Sequence, residues 1–227
     1  MRVERSFAFL DLSDFTALTD AEGDERAVAV LHSFRALVRE VCSRRAVRIA
    51  KWLGDGAMLV GVGNLATLEA VLEVQFASSR LPGVAIRTGV TAGPVILCEG
   101  DDYIGNAVNM AARLCELAPA GAILADPPLT ADLPKWGVAS EPEELAVRGL
   151  GRTTEAVRLD LRPLGTQTSD DPICGIPLTR EVAAAVGTSD FGPVLLFCSA
   201  SCHDTWMHRP PPPPEEHGAV RTPLIGS

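Results

Sequence analysis

Residues 101–113 read Asp101-Asp102-Tyr103-Ile104-Gly105-Asn106-Ala107-Val108-Asn109-Met110-Ala111-Ala112-Arg113. From Val108 the apolar positions recur at Ala111, Leu114 and Ala118, the spacing of one helical face. Asn109 and Arg113 are four apart, so they project from one side of that helix a turn apart and can touch one ligand together. A helical arginine ordinarily pairs with a nearby acid at the surface. A fixed placement after Asp102 sets this pair apart from that ordinary case.

Two further segments lie upstream. The apolar run Phe7-Ala8-Phe9-Leu10 ends on Asp11, and Leu53-Gly54-Asp55-Gly56 separates the strand-like stretches Val47–Ala50 and Ala57–Val62. The second reads as a hairpin with an aspartate at its turn. Carboxylates at adjacent strand ends suit one or two hard cations, because Mg²⁺ takes a few carboxylate oxygens and leaves its remaining positions to water and phosphates. Each has a plainer use: Asp11 as the cap of the helix that follows, Asp55 as a residue of its glycine-flanked turn. Lys51 lies four residues before Asp55, which is also the spacing of a local ion pair.

Taken together, Phe9-Leu10-Asp11-Leu12, Lys51-Trp52-Leu53-Gly54-Asp55-Gly56 and Asp102 through Arg113 resemble the class III nucleotide cyclases, in that family's order and spacing. The resemblance runs from about Phe7 to about Leu161 and includes Leu145-Ala146-Val147-Arg148-Gly149-Leu150-Gly151. It implies an α+β fold, a ferredoxin-like antiparallel sheet with helices packed on it. It also implies a homodimer with each active site shared between protomers. Asp11 and Asp55 of one chain would hold two Mg²⁺ or Mn²⁺ ions. Lys51, Asp102, Asn109 and Arg113 would come from the other chain, and Arg148 is the nearest candidate for a late basic residue on the triphosphate. The implied reaction converts ATP to 3′,5′-cyclic AMP and pyrophosphate.

The purine follows from donor and acceptor logic. Adenine offers an acceptor at N1 and a donor at N6; Lys51 supplies donors only and ionised Asp102 acceptors only, so the pair fits adenine and mismatches guanine. The family's adenylyl members carry Lys and Asp at these positions. One departure concerns Asp11-Leu12-Ser13-Asp14-Phe15-Thr16, where the family often has Gly in place of Asp14. A carboxylate there is unfavourable beside phosphates, and it implies low activity or a strong need for Mn²⁺. It also keeps open the alternative of a low-activity nucleotide-binding regulatory module.

The remaining periodicities predict a first strand near residues 6 to 11 and a helix carrying Ala27, Leu31, Phe34, Val38 and Val41. A second helix carries Leu65, Leu68, Leu72 and Phe76, a strand from Val84 to Cys98 is interrupted at Gly-Pro, and Ala122–Ala125 forms a further strand.

With 227 residues and 47% hydrophobic content, the chain suffices for one domain of about 150 residues burying roughly two-thirds of its surface, plus a small module. A formal charge of −9 argues against nucleic acid, whose partners usually present a basic face. There is no apolar run of about 20 residues and no signal-peptide core. A cytoplasmic protein away from the membrane is the expectation, with ATP as partner.

Of six cysteines, Cys42, Cys98 and Cys115 stand among apolar neighbours and read as small buried hydrophobes. Cys174, Cys198 and Cys202 occur in Asp171-Pro172-Ile173-Cys174-Gly175 and Phe197-Cys198-Ser199-Ala200-Ser201-Cys202-His203. That segment, about Asp170 to Trp206, resembles YHS or TRASH-like metal-binding modules. Its thiolates suit Zn²⁺ or another soft ion, with the fourth ligand open between His203, Asp171 and His208. The plainer reading is a small domain with buried free thiols; the sharper alternative is a metal or redox sensor that works through this module. The expected organisation is a cyclase domain over 1–162, a linker over 163–169, the Cys module over 170–209 and a Pro-rich tail over 210–227.

Overall fold

In the computed structural model, residues 2–81, 85–98, 102–146, 153–188 and 192–209 are described. Strand β1 (Arg2–Leu12) lies near the centre of a nine-stranded sheet, between β3 (Gly56–Gly61) and β4 (Ile86–Leu97), antiparallel to both. Period-two alternation gives it two apolar faces. Ala8, Leu10 and Leu12 pack into the main core, whereas Phe7 and Phe9 pack into a second cluster on the opposite face. Asp11 has the same parity as Phe7 and Phe9, and so belongs to that second face.

The main core is closed by two helices. After the short α1 (Phe15–Glu22), α2 (Asp24–Arg44) buries Ala27, Val30, Phe34, Val38, Val41 and Cys42, and α3 (Asn64–Ser78) buries Leu68, Val71 and Leu72. Between them β2 (Arg48–Leu53) pairs with β3 to form the hairpin. The opposite face carries α4 (Asn106–Leu117), which buries Ala107, Ala111, Leu114 and Cys115. Its seat is Gly89 of β4. A Cβ there would stand 2.2 Å from both the Ala111 carbonyl oxygen and the Cys115 amide nitrogen, so helix and strand backbones meet at that point.

Beyond β4 the order continues through β6 (Ile123–Ala125, parallel to β4), β9 (Thr153–Leu161) and β7 (Gly137–Ala139). Short β5 (Tyr103–Ile104) pairs with β4, and β8 (Glu143–Ala146) with β9. The strand expected to break at Gly93-Pro94 is continuous: Gly93 pairs with Arg5 and Pro94 with Glu4. On the far side of β4, β6 reaches only Val90 and β5 begins only at Ile96, so no ladder there calls on the N–H that proline lacks.

The C-terminal segment holds β10 (Ser169–Asp170) against β11 (Pro177–Leu178), β12 (Ala185–Thr188) against β13 (Val194–Phe197), and α5 (Ala200–Met207). Ile176, Leu178, Leu196, Phe197, Cys198 and Cys202 belong to the main core. Buried Trp136 donates its indole N–H to the Cys198 carbonyl at 2.9 Å. Among the described residues, no helix is long and apolar enough to cross a membrane. The Pro-rich tail, 210–227, lies outside the described residues.

Candidate active site and cysteine cluster

Asp11 and Asp55 reach one cleft from different elements. Asp11 is half-buried at the C-terminal end of β1, between buried Leu10 and Leu12, and Asp55 occupies the two-residue turn between Leu53 and Gly56, where Gly54 takes a left-handed φ of 65°. Both carboxylates line a cleft of about 450 Å³ together with Asp14, Asp20 and Arg87. Gly56 pairs with Asp11, and a Cβ on it would come within 2.6 Å of the Leu10 carbonyl oxygen and 3.2 Å of Asp11 Oδ1. Glycine therefore leaves open the space beside the carboxylate.

Arg87 lies in none of the three sequence motifs. It lies opposite Asp11 in the β1–β4 register and donates from Nε to Asp11 Oδ2 at 2.8 Å, with Nη2 on the same oxygen. The hydrogen bond to Asp11 pushes the Arg87 pKa above its ordinary value. Asp14, the position singled out as a departure, has φ 58° and ψ 22° at the start of α1 and makes no side-chain cap. That is the left-handed region, which glycine enters freely and aspartate tolerates.

Lys51 does not bridge to Asp55. Its Nζ donates to Asp102 Oδ1 at 2.6 Å, and this contact is made by an irregularity in the hairpin. Ile49 pairs with Leu59 but Lys51 with Met58, so Ala50 is an extra residue. Leu59 faces the main core, whereas Met58 and Ala50 belong to the α4-side cluster. The bulge thus turns two successive residues to the same face and aims Lys51 at Asp102. The ammonium holds the Asp102 carboxyl below the usual carboxylate range, first through the hydrogen bond and then through its charge.

Asn109 and Arg113 both lie on exposed positions of α4, as their spacing predicts. Arg113 Nη1 donates to Glu116 Oε2 at 3.0 Å, the ordinary surface pair of a helical arginine. Lys51, Asp102, Asn109 and Arg113 do not line the Asp11–Asp55 cleft. Arg148 falls outside the described residues.

The second constellation is buried. One ligand atom each from Asp171, Cys174, Cys198 and Cys202 lie within 4.8 Å of one another. The Cys198 sulfur is 3.5 Å from that of Cys174 and 3.6 Å from that of Cys202. His203 is not in the group: its ring stands edge-on to Phe197 at 5.1 Å. His208 turns Nδ1 to the Asp204 carbonyl. Asp171 arranges the cluster, its Oδ1 accepting from the amides of Ile173 and Cys174 and its Oδ2 from that of Cys198 at 2.7 Å. Hydrogen bonds from the other two thiols, with the charge of Arg45, draw Cys202 down to about 4 against its burial. Hydrogen bonding with its two neighbouring thiols, together with burial, pushes Cys174 up.

Arg45, which likewise lies in no motif, is buried just beyond α2. It donates to Cys198 Sγ at 2.9 Å, Ser199 Oγ at 2.6 Å, Glu73 at 2.7 Å and Glu69 at 3.0 Å.

No family model matches the sequence. A search of solved structures finds the guanylate cyclase domain from Catenaria anguillulae, in complex with GTP, at a TM-score of 0.63 and 18% identity, covering 72% of this chain and 100% of that one. The fold is that of a class III cyclase catalytic domain. An adenylyl cyclase from P. aeruginosa shares it at a TM-score of 0.58 and 22% identity, over 73% of this chain and 98% of its own. Among curated relatives, an uncharacterized Mycobacterium tuberculosis protein is 35% identical over 157 residues, 68% of this chain and 41% of its own length. An adenylate cyclase from Streptomyces griseus is 30% identical over 167 residues, 72% of this chain and 41% of its own. The chain thus spans 41% of the length of these two relatives. In the cyclase fold seen here, Asp11 and Asp55 share one cleft and Lys51 and Asp102 meet beyond it.

Proposed function

We propose that this chain carries the catalytic part of an adenylate cyclase, converting ATP to 3′,5′-cyclic AMP and pyrophosphate. The observation that carries the reading is the Lys51–Asp102 pair at 2.6 Å, set outside the cleft that collects Asp11 and Asp55. The two groups fit two halves of a site, completed when two protomers associate about a two-fold axis. Exposed Ile96 and Ile104, cross-strand partners on β4 and β5, supply apolar surface of the kind a partner covers.

The donor set of the cleft suits hard cations: several carboxylates, open space beside Asp11, and Arg87 as the present countercharge. Asp11 and Asp55 would hold two Mg²⁺ or Mn²⁺ ions, which when bound lower the pKa of the ribose 3′-hydroxyl and neutralise the triphosphate. Lys51 donates to adenine N1 and Asp102 accepts from N6. Asn109 orients the ribose, and Arg113, leaving Glu116, stabilises charge on the α-phosphoryl group as the 3′-oxygen attacks and pyrophosphate departs. Arg87, already in the cleft, offers the triphosphate a guanidinium.

A second role is favoured by the sulfur cluster. A Zn–S bond of about 2.3 Å places two thiolates on one tetrahedral ion roughly 3.8 Å apart. The separations of 3.5 and 3.6 Å come close to that. We read the cluster as a site for Zn²⁺ or a similar soft cation, with Asp171 rather than His203 beside the sulfurs.

The test incubates purified protein with ATP or GTP, each with Mg²⁺ or Mn²⁺, and resolves cyclic nucleotides from linear products. Cyclic AMP from ATP, absent with Asp55→Ala, is expected. Cyclic GMP as the main product would overturn the purine assignment, and no cyclic product from a folded dimer would overturn the activity.

A further inference from the structure

Helix α2 touches both constellations. At its C-terminal end Arg45 grips the cysteine cluster through Cys198 Sγ and Ser199 Oγ. Ten residues earlier, about 15 Å along the axis, Arg35 Nη2 donates to the Gly54 carbonyl at 3.0 Å, in the turn that carries Asp55. The guanidiniums of Arg35 and Arg39 both lie over the Trp52 ring, at 5.2 and 5.1 Å, and Phe34 meets that ring edge-on. Trp52 follows Lys51 directly. The helix between these anchors contains neither glycine nor proline, the usual sites of kinking.

We propose that the Asp171–Cys174–Cys198–Cys202 cluster is an effector site for a thiophilic divalent cation, whose occupancy reaches the Lys51–Asp55 hairpin through Arg45 and α2. The inference rests on the cation-binding reading of the cluster given above. A cation on the three sulfurs ties the segment at Cys174 to the segment at Cys198 and Cys202, and so fixes the two groups that Arg45 holds. Arg45 belongs to the cyclase fold, and Glu69 and Glu73 of α3 complete its coordination, so the site is a joint product of that fold and the C-terminal segment. Because a cation that prefers the ordered junction must stabilise it, the effect is reciprocal: ordering the hairpin tightens the cation.

The experiment uses the full chain with Zn²⁺ as probe. Affinity is read by competition with a chromophoric chelator, and amide exchange of the segment 48–56 is followed with and without one equivalent of Zn²⁺. Wild type is expected to bind one Zn²⁺, abolished by Cys198→Ser, and to slow hairpin exchange several-fold. Arg45→Lys should weaken Zn²⁺ about 10–100-fold, the usual effect of removing an outer partner of a metal ligand. Arg35→Met, a change at the far anchor that spares the buried network, should abolish hairpin protection and, by the same linkage, weaken Zn²⁺ only by the several-fold coupling it removes. Stoichiometric Zn²⁺ with unchanged hairpin exchange would overturn the coupling alone. Absence of Zn²⁺ binding by the wild type would overturn the cation site and the inference with it.

Discussion

Arg113 shows how ordinary a residue proposed to carry function can look. Its pair with Glu116 is exposed on both sides, and such pairs contribute about 0–1 kcal/mol, so the guanidinium can exchange this partner for a phosphate at little cost. Arg113→Ala should therefore leave thermal stability nearly unchanged and lower turnover of ATP by about 10²–10³-fold; a comparable fall in melting temperature and activity would point to a structural role instead. Asp14 gives a prediction of opposite sign. It adds a carboxylate to the cleft and adopts a left-handed backbone that glycine accepts. Asp14→Gly should raise turnover with Mg²⁺, measured as cyclic AMP formed. At this scale the sequence disclosed Asp11, Lys51, Asp55, Asp102, Asn109 and Arg113 as candidates through local motifs. Arg87 and Arg45 escaped because their meaning is non-local: Arg87 meets Asp11 across 76 positions and Arg45 meets Cys198 across 153. An arginine within the apolar strand Ile86-Arg87-Thr88 was the one available signal for Arg87.

At the scale of elements, spacing located α2, α3, α4 and the hairpin, since each shows its apolar face or turn residues locally. Two details needed the fold. The extra residue at Ala50 cannot be read from alternation alone, yet it brings Lys51 to the face of Asp102. Gly93-Pro94 looks like a strand break, and becomes tolerable only where the neighbouring strands leave that edge unpaired. The packing of α4 on β4 is the element contact on which the site most depends. Gly89→Ala would drive a methyl into the backbone at Ala111 and Cys115. The expected cost exceeds the 1–3 kcal/mol typical of overpacking, because the obstruction is backbone that cannot rotate away. Chemical denaturation should show the loss, and turnover should fall with it as Asn109 and Arg113 are displaced.

On the scale of the molecule, the expected separate Cys module shares the main core with the cyclase fold, through Phe197, Cys198, Cys202 and the Trp136 bond. Composition gave no hint of this, because interfaces between segments of one chain are as apolar as the core they extend. The proposed division into two half-sites is the central claim, that one chain supplies Asp11 and Asp55 while its partner supplies Lys51, Asp102, Asn109 and Arg113. The most direct measurement mixes Asp55→Ala with Arg113→Ala, each inactive alone, allows the protomers to exchange, and assays cyclic AMP from ATP. Each mixed dimer retains one intact site, so activity should return on mixing. Failure of activity to return, with mixed dimers demonstrated, would contradict the shared-site account.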